Sequence, residues 1–405
     1  MKFLRLKRIL ICIIISVFLL SGCGTVQRES SEPQTDKAER YENSASRGVW
    51  LSFSEINSML ASEKGFKAEF DAAVQNLKAL KITDIYVHVR SYCDSLFKSD
   101  YFPQIDEALD LYYDPFEYII DICHENGIKV HAWLNPYRVL TSSDDIEKLN
   151  HDSPAYKWLN DESTENDLNV IRYNGIYLNP AEYEVRELVL SGIREILNKY
   201  KVDGIHFDDY FYPTTDAEFD LASYEKYKAS SDNPLPLDEW RRSNVNALIS
   251  GSYTAVKFFS KDILFTVSPM ASVDKNYNEL YADIKTWIEN GCIDAIIPQL
   301  YFGYDYPDPD FQFDNLLDEW TELCAINSDV SLMIGLGTYK IGTDSEPDRE
   351  EWQSDTDIIA RQAKECYRNG NVSGYVLFSY TSLVSGDELN AKQRENLKEF
   401  IITCG

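Results

Sequence analysis

Residues 202–213 end a short apolar run with two adjacent carboxylates, Asp208 and Asp209, followed by aromatic rings. Because side chains alternate between the two faces of a β-strand, His206 and Asp208 share one face and their apolar neighbours lie on the other. A carboxyl group at such a strand end can transfer a proton, or stabilise a developing positive charge, during bond cleavage. The competing interpretation is that the two aspartates begin a solvated loop or cap the next helix.

Three other β-like runs carry a similar face of polar and aromatic side chains. These are Tyr86, His88 and Arg90 in one run, His131, Trp133 and Asn135 in the next, and Gln299 and Tyr301 in a later one. The opposite faces are mostly aliphatic and must pack against helices, so the mixed faces are expected to point to the axis of a closed barrel. The residues that would then meet at the barrel mouth are Arg90, Asn135, Asp208 and Tyr301.

The elements that must position these residues are eight β-like runs that alternate with helical patterns. The runs are residues 48–53, 84–89, 129–134, 202–208, 263–268, 295–301, 332–336 and 374–379. Asn-Gly pairs precede the third, sixth and eighth runs, which indicates a repeated strand–helix unit. Eight such units predict an α/β fold, a single (β/α)8 TIM barrel, and the Gly-rich fingerprints of nucleotide-binding sheets are absent. Long connections after runs three, four, six and seven would form the substrate-binding, C-terminal face.

The first 46 residues have the composition of a targeting segment and a tether. Four basic residues precede an apolar run over residues 9–20, which is too short for an ordinary spanning helix. Residues 20–23, Leu-Ser-Gly-Cys, resemble the bacterial lipobox, so we predict a lipoprotein signal peptide over residues 1–22 and lipidation of Cys23. Residues 23–46 are a predicted flexible linker, and residues 47–405 the barrel. The expected location is the outer side of a cell membrane, held by acyl chains.

The charge and the cysteines restrict the classes of partner. The formal net charge is −28, which repels nucleic acid and makes a DNA or RNA partner improbable. The six cysteines after Cys23 are far apart and form no Cys-x-x-Cys pair, so zinc-finger spacing is absent. We expect buried thiols rather than disulfides, although an exported chain leaves disulfides open.

Several stretches of the chain resemble the glycosyl hydrolase-like 10 family of exported bacterial proteins. The matching stretches are residues 47–51 (RGVWL), 89–90 with Asp94, 129–138 (KVHAWLNPYR), 202–212 (VDGIHFDDYFY), 268–269 and 298–301 (PQLY). The resemblance implies a (β/α)8 barrel distantly similar to α-amylase relatives, with a catalytic carboxylate at Asp208. It also implies activity on glycans, with envelope polysaccharide or peptidoglycan strands as the favoured substrates.

Glycoside cleavage requires one ionised carboxylate and one protonated carboxyl group. Asp208 is the expected ionised partner, because a facing cation such as Arg90 would lower its pKa. Asp209 is expected to turn away from Asp208 if the strand continues, and to give hydrogen-bonding support or act as a cap. The protonated partner stays open among four acids. Asp94 and Glu55 match acidic positions expected from the resemblance, whereas Asp305 and Asp274 lie where amylase-like relatives place their acid.

The other residues near the expected mouth are predicted to bind the glycan, since flat rings with polar edges suit stacking on sugars. The predicted binding residues are Arg90, His131, Trp133, Asn135, Tyr137, Arg138, His206, Asp209, Tyr210, Gln299 and Tyr301. No cofactor is expected, and the chain is expected to be a monomer. Packing at the barrel rim is the alternative role for the aromatic residues.

Two other functions fit the sequence less well. One is a glycan-binding barrel without catalysis, which the unassigned acid favours. The other is a metal-dependent hydrolase, because His88, His131, His206 and Asp208 lie on three consecutive runs. Each histidine, however, lies two residues before its strand end, where a hydrogen-bonded core role is common.

Overall fold

A computed structural model describes residues 45–62 and 64–404, and in it eight parallel strands close into a barrel in the order of the chain. The barrel strands are β1 (Ser46–Leu51), β2 (Asp84–Arg90), β3 (Lys129–Leu134), β7 (Gly204–Phe207), β8 (Leu264–Val267), β9 (Ala295–Ile296), β10 (Ser331–Leu336) and β11 (Val372–Leu377). The predicted (β/α)8 fold is therefore confirmed. The bounds of β3 are as predicted, and those of the other strands differ from the predicted ones by up to five residues.

Most of the described helices surround this barrel. They are α1 (Phe53–Leu60), α2 (Phe66–Ala79), α3 (Asp106–Leu109), α4 (Pro115–Glu125), α5 (Pro154–Leu159), α6 (Tyr183–Lys199), α7 (Leu221–Ser230), α8 (Leu237–Phe259), α9 (Val273–Asn278), α10 (Ile284–Glu289), α11 (Phe313–Cys324), α12 (Arg349–Ser354), α13 (Ile358–Arg368), α14 (Tyr380–Val384) and α15 (Glu388–Cys404). Helix α4 shows how the sequence sets their ends. The Asp114 carboxylate caps it by accepting from the backbone N–H of Phe116 and Glu117, and a proline occupies its first turn.

The long connection after β3 carries its own small antiparallel sheet. Strands β4 (Arg138–Leu140), β6 (Ile176–Leu178) and β5 (Val170–Arg172) pair in that order. Together with α5, they fill the loop that the sequence predicted to be long. The sheet begins at Arg138, which fixes this side chain beside the barrel mouth.

The barrel interior is filled by large rings rather than by aliphatic layers alone. An inner apolar cluster, separate from the main core between the strands and helices, contains Trp50, Tyr86, Trp133, Ile297, Met333 and Val376. Its members come from six different strands or strand ends, so the mixed faces point to the axis as predicted. Space for the rings comes from small residues. At Gly204 an added Cβ would lie 2.1 Å from Nδ1 of His131.

Two of the strands that end earlier than predicted, β9 and β7, shape the site. Strand β9 keeps only two residues because Pro298 lacks a backbone N–H, and the chain continues past it through isolated bridges at Gln299. Strand β7 ends at Phe207, which leaves Asp208 and Asp209 on the turn that follows.

The described residues contain no helix long and apolar enough to cross a membrane. The predicted signal peptide, Cys23 and most of the predicted linker lie outside residues 45–62 and 64–404. Five cysteines with described side chains, Cys93, Cys123, Cys292, Cys324 and Cys366, are free thiols. This agrees with the expectation of thiols for these five.

Candidate active site

The carboxyl group of Asp208 lies at the mouth of the barrel and is almost fully buried, with 3% of the residue exposed. Its Oδ2 accepts from the indole Nε1 of Trp133 at 3.0 Å and from Nδ2 of Asn135 at 3.3 Å. Its Oδ1 accepts from the backbone N–H of Tyr210 at 3.3 Å. Three N–H donors from two elements therefore hold this carboxylate in place, and Trp133 and Asn135 lie where the sequence predicted.

The expectation that Asp209 turns away from the mouth is wrong. The strand has already ended, so the alternation that separated the two side chains no longer applies. Asp209 is half-buried, and it interacts with the amide of Gln299 and with the charge of Arg138. Two neighbouring carboxyl groups thus occupy one end of the barrel.

Burial makes both of these carboxyl groups weaker acids than usual, and the charge of Asp209 adds to the effect on Asp208. Burial first, and then the charge of Asp209, raise the pKa of Asp208 to about 7. Burial raises the pKa of Asp209 to about 6, against the opposing effects of the Gln299 amide and of Arg138. Because adjacent carboxylates resist ionising together, the pair retains one proton close to neutral pH.

The cation beside the carboxyl pair is Arg138. Its guanidinium carbon lies 4.2 Å from the ring centre of Tyr210 and 4.9 Å from that of Tyr92, and its Nη2 donates to the Tyr92 hydroxyl at 3.3 Å. Its charge lowers the pKa of both aspartates, against the larger effect of burial. Arg138 is therefore the cation that faces Asp208, a position that the sequence analysis assigned to Arg90.

The expectation that Arg90 faces Asp208 is wrong. The pairing of β2 with β3 shifts register between His88 and Arg90, which turns Arg90 outward. Its guanidinium lies 4.5 Å from the ring centre of Phe102, and a Cβ added to Gly192 of α6 would lie 2.5 Å from its Nη1. Burial lowers its pKa to about 10.

The interior position of His206, below the mouth, does not fit the predicted glycan contact. Nε2 of His206 accepts from the indole of Trp50 at 3.0 Å, so Nδ1 carries the proton and donates to Oγ1 of Thr266 at 2.8 Å. Burial lowers its pKa well below the usual value. The ring is neutral, and both of its nitrogens are hydrogen-bonded inside the barrel.

His131 lies deeper still, at the opposite end of the barrel from the mouth. Its Nε2 lies 3.0 Å from Oδ1 of Asp84, the first residue of β2, and its ring stacks on Tyr86 with ring centres 4.4 Å apart. Burial alone would raise the pKa of Asp84, but His131 and the hydroxyl groups of Ser46 and Thr83 together outweigh it, and the pKa is about 2. The predicted glycan contact by His131 is therefore wrong.

Of the predicted acids, Glu55 is occupied by the fold. Its Oε2 accepts from the backbone N–H and the hydroxyl of Ser52, both at 2.7 Å, which closes a capping box at the start of α1. Its Oε1 accepts from the Ser379 hydroxyl at 2.7 Å and from the backbone N–H of Thr381 at 2.6 Å. Glu55 thus ties the first barrel strand to the last, and the geometry gives it a structural role instead of the predicted catalytic one.

The remaining acid candidates lie away from the carboxyl pair. Asp305 is exposed on a loop, and Asp274 is exposed in the first turn of α9. Asp94 is half-buried in a separate cavity beside the end of β2, where burial raises its pKa to about 6. The acid that lies beside Asp208 is thus Asp209, which was not among the four candidates for the protonated partner.

The predicted aromatic residues divide into two groups. Tyr301 stacks on Phe378 with ring centres 5.6 Å apart, and the charges of Asp208 and Asp209 both act on its hydroxyl. Tyr210 is 48% exposed at the same mouth. Tyr137, in contrast, is buried in the main core between strands and helices, so its predicted glycan contact is wrong.

Within the described ranges, no group of three or more His, Cys, Asp or Glu side chains could hold a metal ion. The three histidines of the metal hypothesis do not converge. His131 pairs with Asp84, His206 bonds Trp50 and Thr266, and the ring of His88 stacks on Trp133. Trp50 was missed as a supporting residue, although its RGVWL stretch marked the first strand.

A family model described as glycosyl hydrolase-like 10 matches residues 45–354. Over 369 residues the chain is 31% identical to "Glycosyl hydrolase YngK" of Bacillus subtilis (strain 168), covering 83% of this chain and 68% of that protein. Over 394 residues it is 28% identical to "Glycosyl hydrolase DigH" of Escherichia coli (strain K12), covering 86% and 87% of the two chains. The names of these two relatives are general, and they support a glycosidase without specifying its substrate.

Solved structures of glycoside hydrolases share the fold at low sequence identity. The glycoside hydrolase domain of PgaB (BpsB) from Bordetella bronchiseptica superposes with a TM-score of 0.58 at 13% identity, covering 86% of this chain and 98% of that one. The catalytic domain of β-amylase from Paenibacillus polymyxa gives 0.58 at 10% identity, covering 88% and 98%. At such identities the likeness concerns the barrel alone.

The assignment of Arg138, rather than Arg90, as the site cation gives a paired prediction. Arg138→Met should raise the pKa of Asp208 and Asp209 by about one unit, because it removes a facing positive charge. Arg90→Met, the matched control, should leave both values unchanged, since this arginine points to α6. The measurement is a pH titration of the two 13C carboxyl signals by NMR. Equal shifts in the two variants would contradict the assignment.

Proposed function

The chain belongs to the glycosyl hydrolase-like 10 family, and on that basis we propose that it hydrolyses O-glycosidic bonds with the carboxyl pair Asp208 and Asp209. The observation that carries the proposal is the placement of two weakly acidic carboxyl groups at the C-terminal mouth of a (β/α)8 barrel. In such barrels the active site lies at this end. Glycoside cleavage needs one carboxyl group in each protonation state, which a pair sharing one proton provides.

By pKa alone the shared proton would lie on Asp208, whose pKa is the higher of the two. The partners of Asp208 among the described residues, the N–H groups of Trp133, Asn135 and Tyr210, instead stabilise its ionised form. Because these three donors act directly on Asp208 and the two pKa values differ by only about one unit, we assign the negative charge to Asp208 and the proton to Asp209. In this assignment Asp209 protonates the departing glycosidic oxygen, and Asp208 stabilises the positive charge that develops on the sugar ring.

Arg138 and the aromatic residues would hold the sugar against this pair. Tyr210, half-exposed beside Arg138, offers a flat face of the kind that stacks on sugars. Tyr301, with its ring packed on Phe378, has its hydroxyl in the field of both carboxyl groups. Trp133 and Asn135 act on Asp208 and are positioning residues.

Envelope polysaccharide, with peptidoglycan glycan strands favoured, is the proposed substrate. Its support is the family together with the predicted export signal and the lipobox-like residues 20–23. A protein held by acyl chains on the outer side of the cell membrane would meet the cell-wall glycan directly. The flexible composition of residues 24–46 would let the barrel reach it.

A glycan-binding barrel without catalysis is the second candidate. One observation favours it: the two mouth carboxyl groups are sequence neighbours on one turn, whereas glycosidases usually place theirs on opposite sides of the bond. The two candidates differ in turnover and agree in binding, so substitutions of the carboxyl pair distinguish them.

Asp208→Asn and Asp209→Asn should each lower the rate of reducing-end release from a susceptible glycan by roughly 10²–10⁴-fold, because each removes one of the two required charge states. Both variants should still bind the glycan. Asp274→Asn, which changes an exposed acid in the first turn of α9, is the matched control and should keep the parent rate. Release of no reducing ends by the parent protein from peptidoglycan and a panel of polysaccharides would favour the second candidate instead.

Lipidation of Cys23 is tested by Cys23→Ser in cells. The parent protein should fractionate with membranes and incorporate a labelled fatty acid, whereas the variant should do neither, since the acceptor thiol is gone. Cys292→Ser, outside the leader, is the control and should behave as the parent. Equal membrane association of the parent and Cys23→Ser would contradict a lipid anchor.

A further inference from the structure

A second cavity, of about 460 Å³, opens beside the end of β2 and has no part in the chemistry assigned above. Its volume falls within the roughly 300–1,000 Å³ typical of small-molecule sites. His88 and Asp94 lie in its wall together with Tyr92, and the rim carries Asp106 and Glu107. We infer that this side cavity is a glycan subsite that takes an uncharged sugar ring, an inference that rests on the proposed function.

The first support is His88, which is buried to all but 4% of its surface. Neither ring nitrogen has a hydrogen-bond partner among the described residues. Burial, and then the charge of Arg138, lower its pKa well below the usual value, so the ring is neutral and offers one donor and one acceptor. Burying a donor and an acceptor without partners is costly unless a ligand or water forms hydrogen bonds with them. A sugar hydroxyl group can both donate and accept such bonds.

The second support is the direct connection between the side cavity and the carboxyl pair. The His88 ring stacks on the Trp133 indole, with ring centres 3.7 Å apart and planes within 8°. The edge of the same indole donates to Asp208. On the other side, Tyr92 lies in the cavity wall and accepts from Arg138, the cation of the site. A glycan chain cleaved at Asp208 could therefore place a neighbouring sugar in the side cavity.

The charges of the cavity decide which sugar fits. Asp94, Asp106 and Glu107 are carboxyl groups, and Lys148 lies among the lining residues with them. The excess of acid repels a sugar that carries its own carboxylate. In a peptidoglycan strand freed of its stem peptides, one of the two alternating sugars carries a free lactyl carboxylate, and the other sugar would occupy the side cavity. This placement would fix which of the two alternating bonds reaches Asp208.

The test uses the Asp208→Asn protein, which should bind without turnover, and two peptide-free tetrasaccharides. One probe is the uncharged tetramer of N-acetylglucosamine, and the other alternates N-acetylglucosamine with N-acetylmuramic acid. Adding His88→Phe, which keeps a ring against Trp133 but removes both nitrogens, should weaken binding of the uncharged tetramer at least fivefold by calorimetry. The 15N signals of the His88 ring in the Asp208→Asn protein should also shift on addition of this tetramer.

The rim charges are tested by adding Asp106→Lys and Glu107→Lys together. This pair should improve binding of the anionic tetramer relative to the uncharged one at least fivefold, because the repulsion is replaced by attraction. Asp152→Asn, an exposed acid outside the cavity, should change neither affinity. Ring signals of His88 that do not move, or unchanged relative affinities in the rim variant, would overturn the inference while glycan binding itself remained. Binding of neither tetramer by the Asp208→Asn protein would overturn the subsite, and absence of turnover by the parent would count separately against the proposed function.

Discussion

The mouth of the barrel depends on holding the carboxyl group of Asp208 out of water without leaving it unsatisfied. A buried carboxylate is costly unless hydrogen-bond donors replace its hydration. Here the indole of Trp133, the amide of Asn135 and the Tyr210 backbone provide those donors. The neighbouring carboxyl group of Asp209 adds its charge, and the pair keeps one proton because two adjacent charges would repel each other.

The barrel interior below the mouth serves to fix the Trp133 ring and its neighbours. His206, neutral and hydrogen-bonded on both nitrogens to Trp50 and Thr266, packs edge-on against Trp133 with ring centres 6.2 Å apart. His88 stacks on the same indole, with ring centres 3.7 Å apart. Because closely packed rings have few alternative arrangements, the indole N–H is held in one direction. The histidines are thus supports of the site rather than metal ligands.

Alternation along the strands was enough to predict the barrel, its mixed inner faces and the place of Asp208. What it missed follows from local breaks in that alternation. A register shift at the end of β2 turned Arg90 outward, and no residue type in that run signals the shift. Because β7 ends at Phe207, Asp209 lies at the mouth. A strand that continued through Asp209 would have turned its side chain away.

The role of Glu55 was beyond sequence reasoning for a different reason. The Ser-x-x-Glu spacing of Ser52 and Glu55 is a capping-box signal, but its bonds to Ser379 and Thr381 join residues more than 300 positions apart. Arg138 was identified as a mouth residue, yet only the small sheet that begins there shows that it faces the carboxyl pair.

The most direct measurement of the central claim is the pH dependence of kcat/KM for glycan hydrolysis. Below about pH 6 both carboxyl groups are protonated and no charge stabilises the sugar cation, and above about pH 7 both are ionised and no proton remains for the leaving oxygen. We therefore expect kcat/KM to follow a narrow bell-shaped curve, with its maximum between about pH 6 and about pH 7. A profile that stays flat from pH 5 to pH 8 would contradict a catalytic pair that shares one proton.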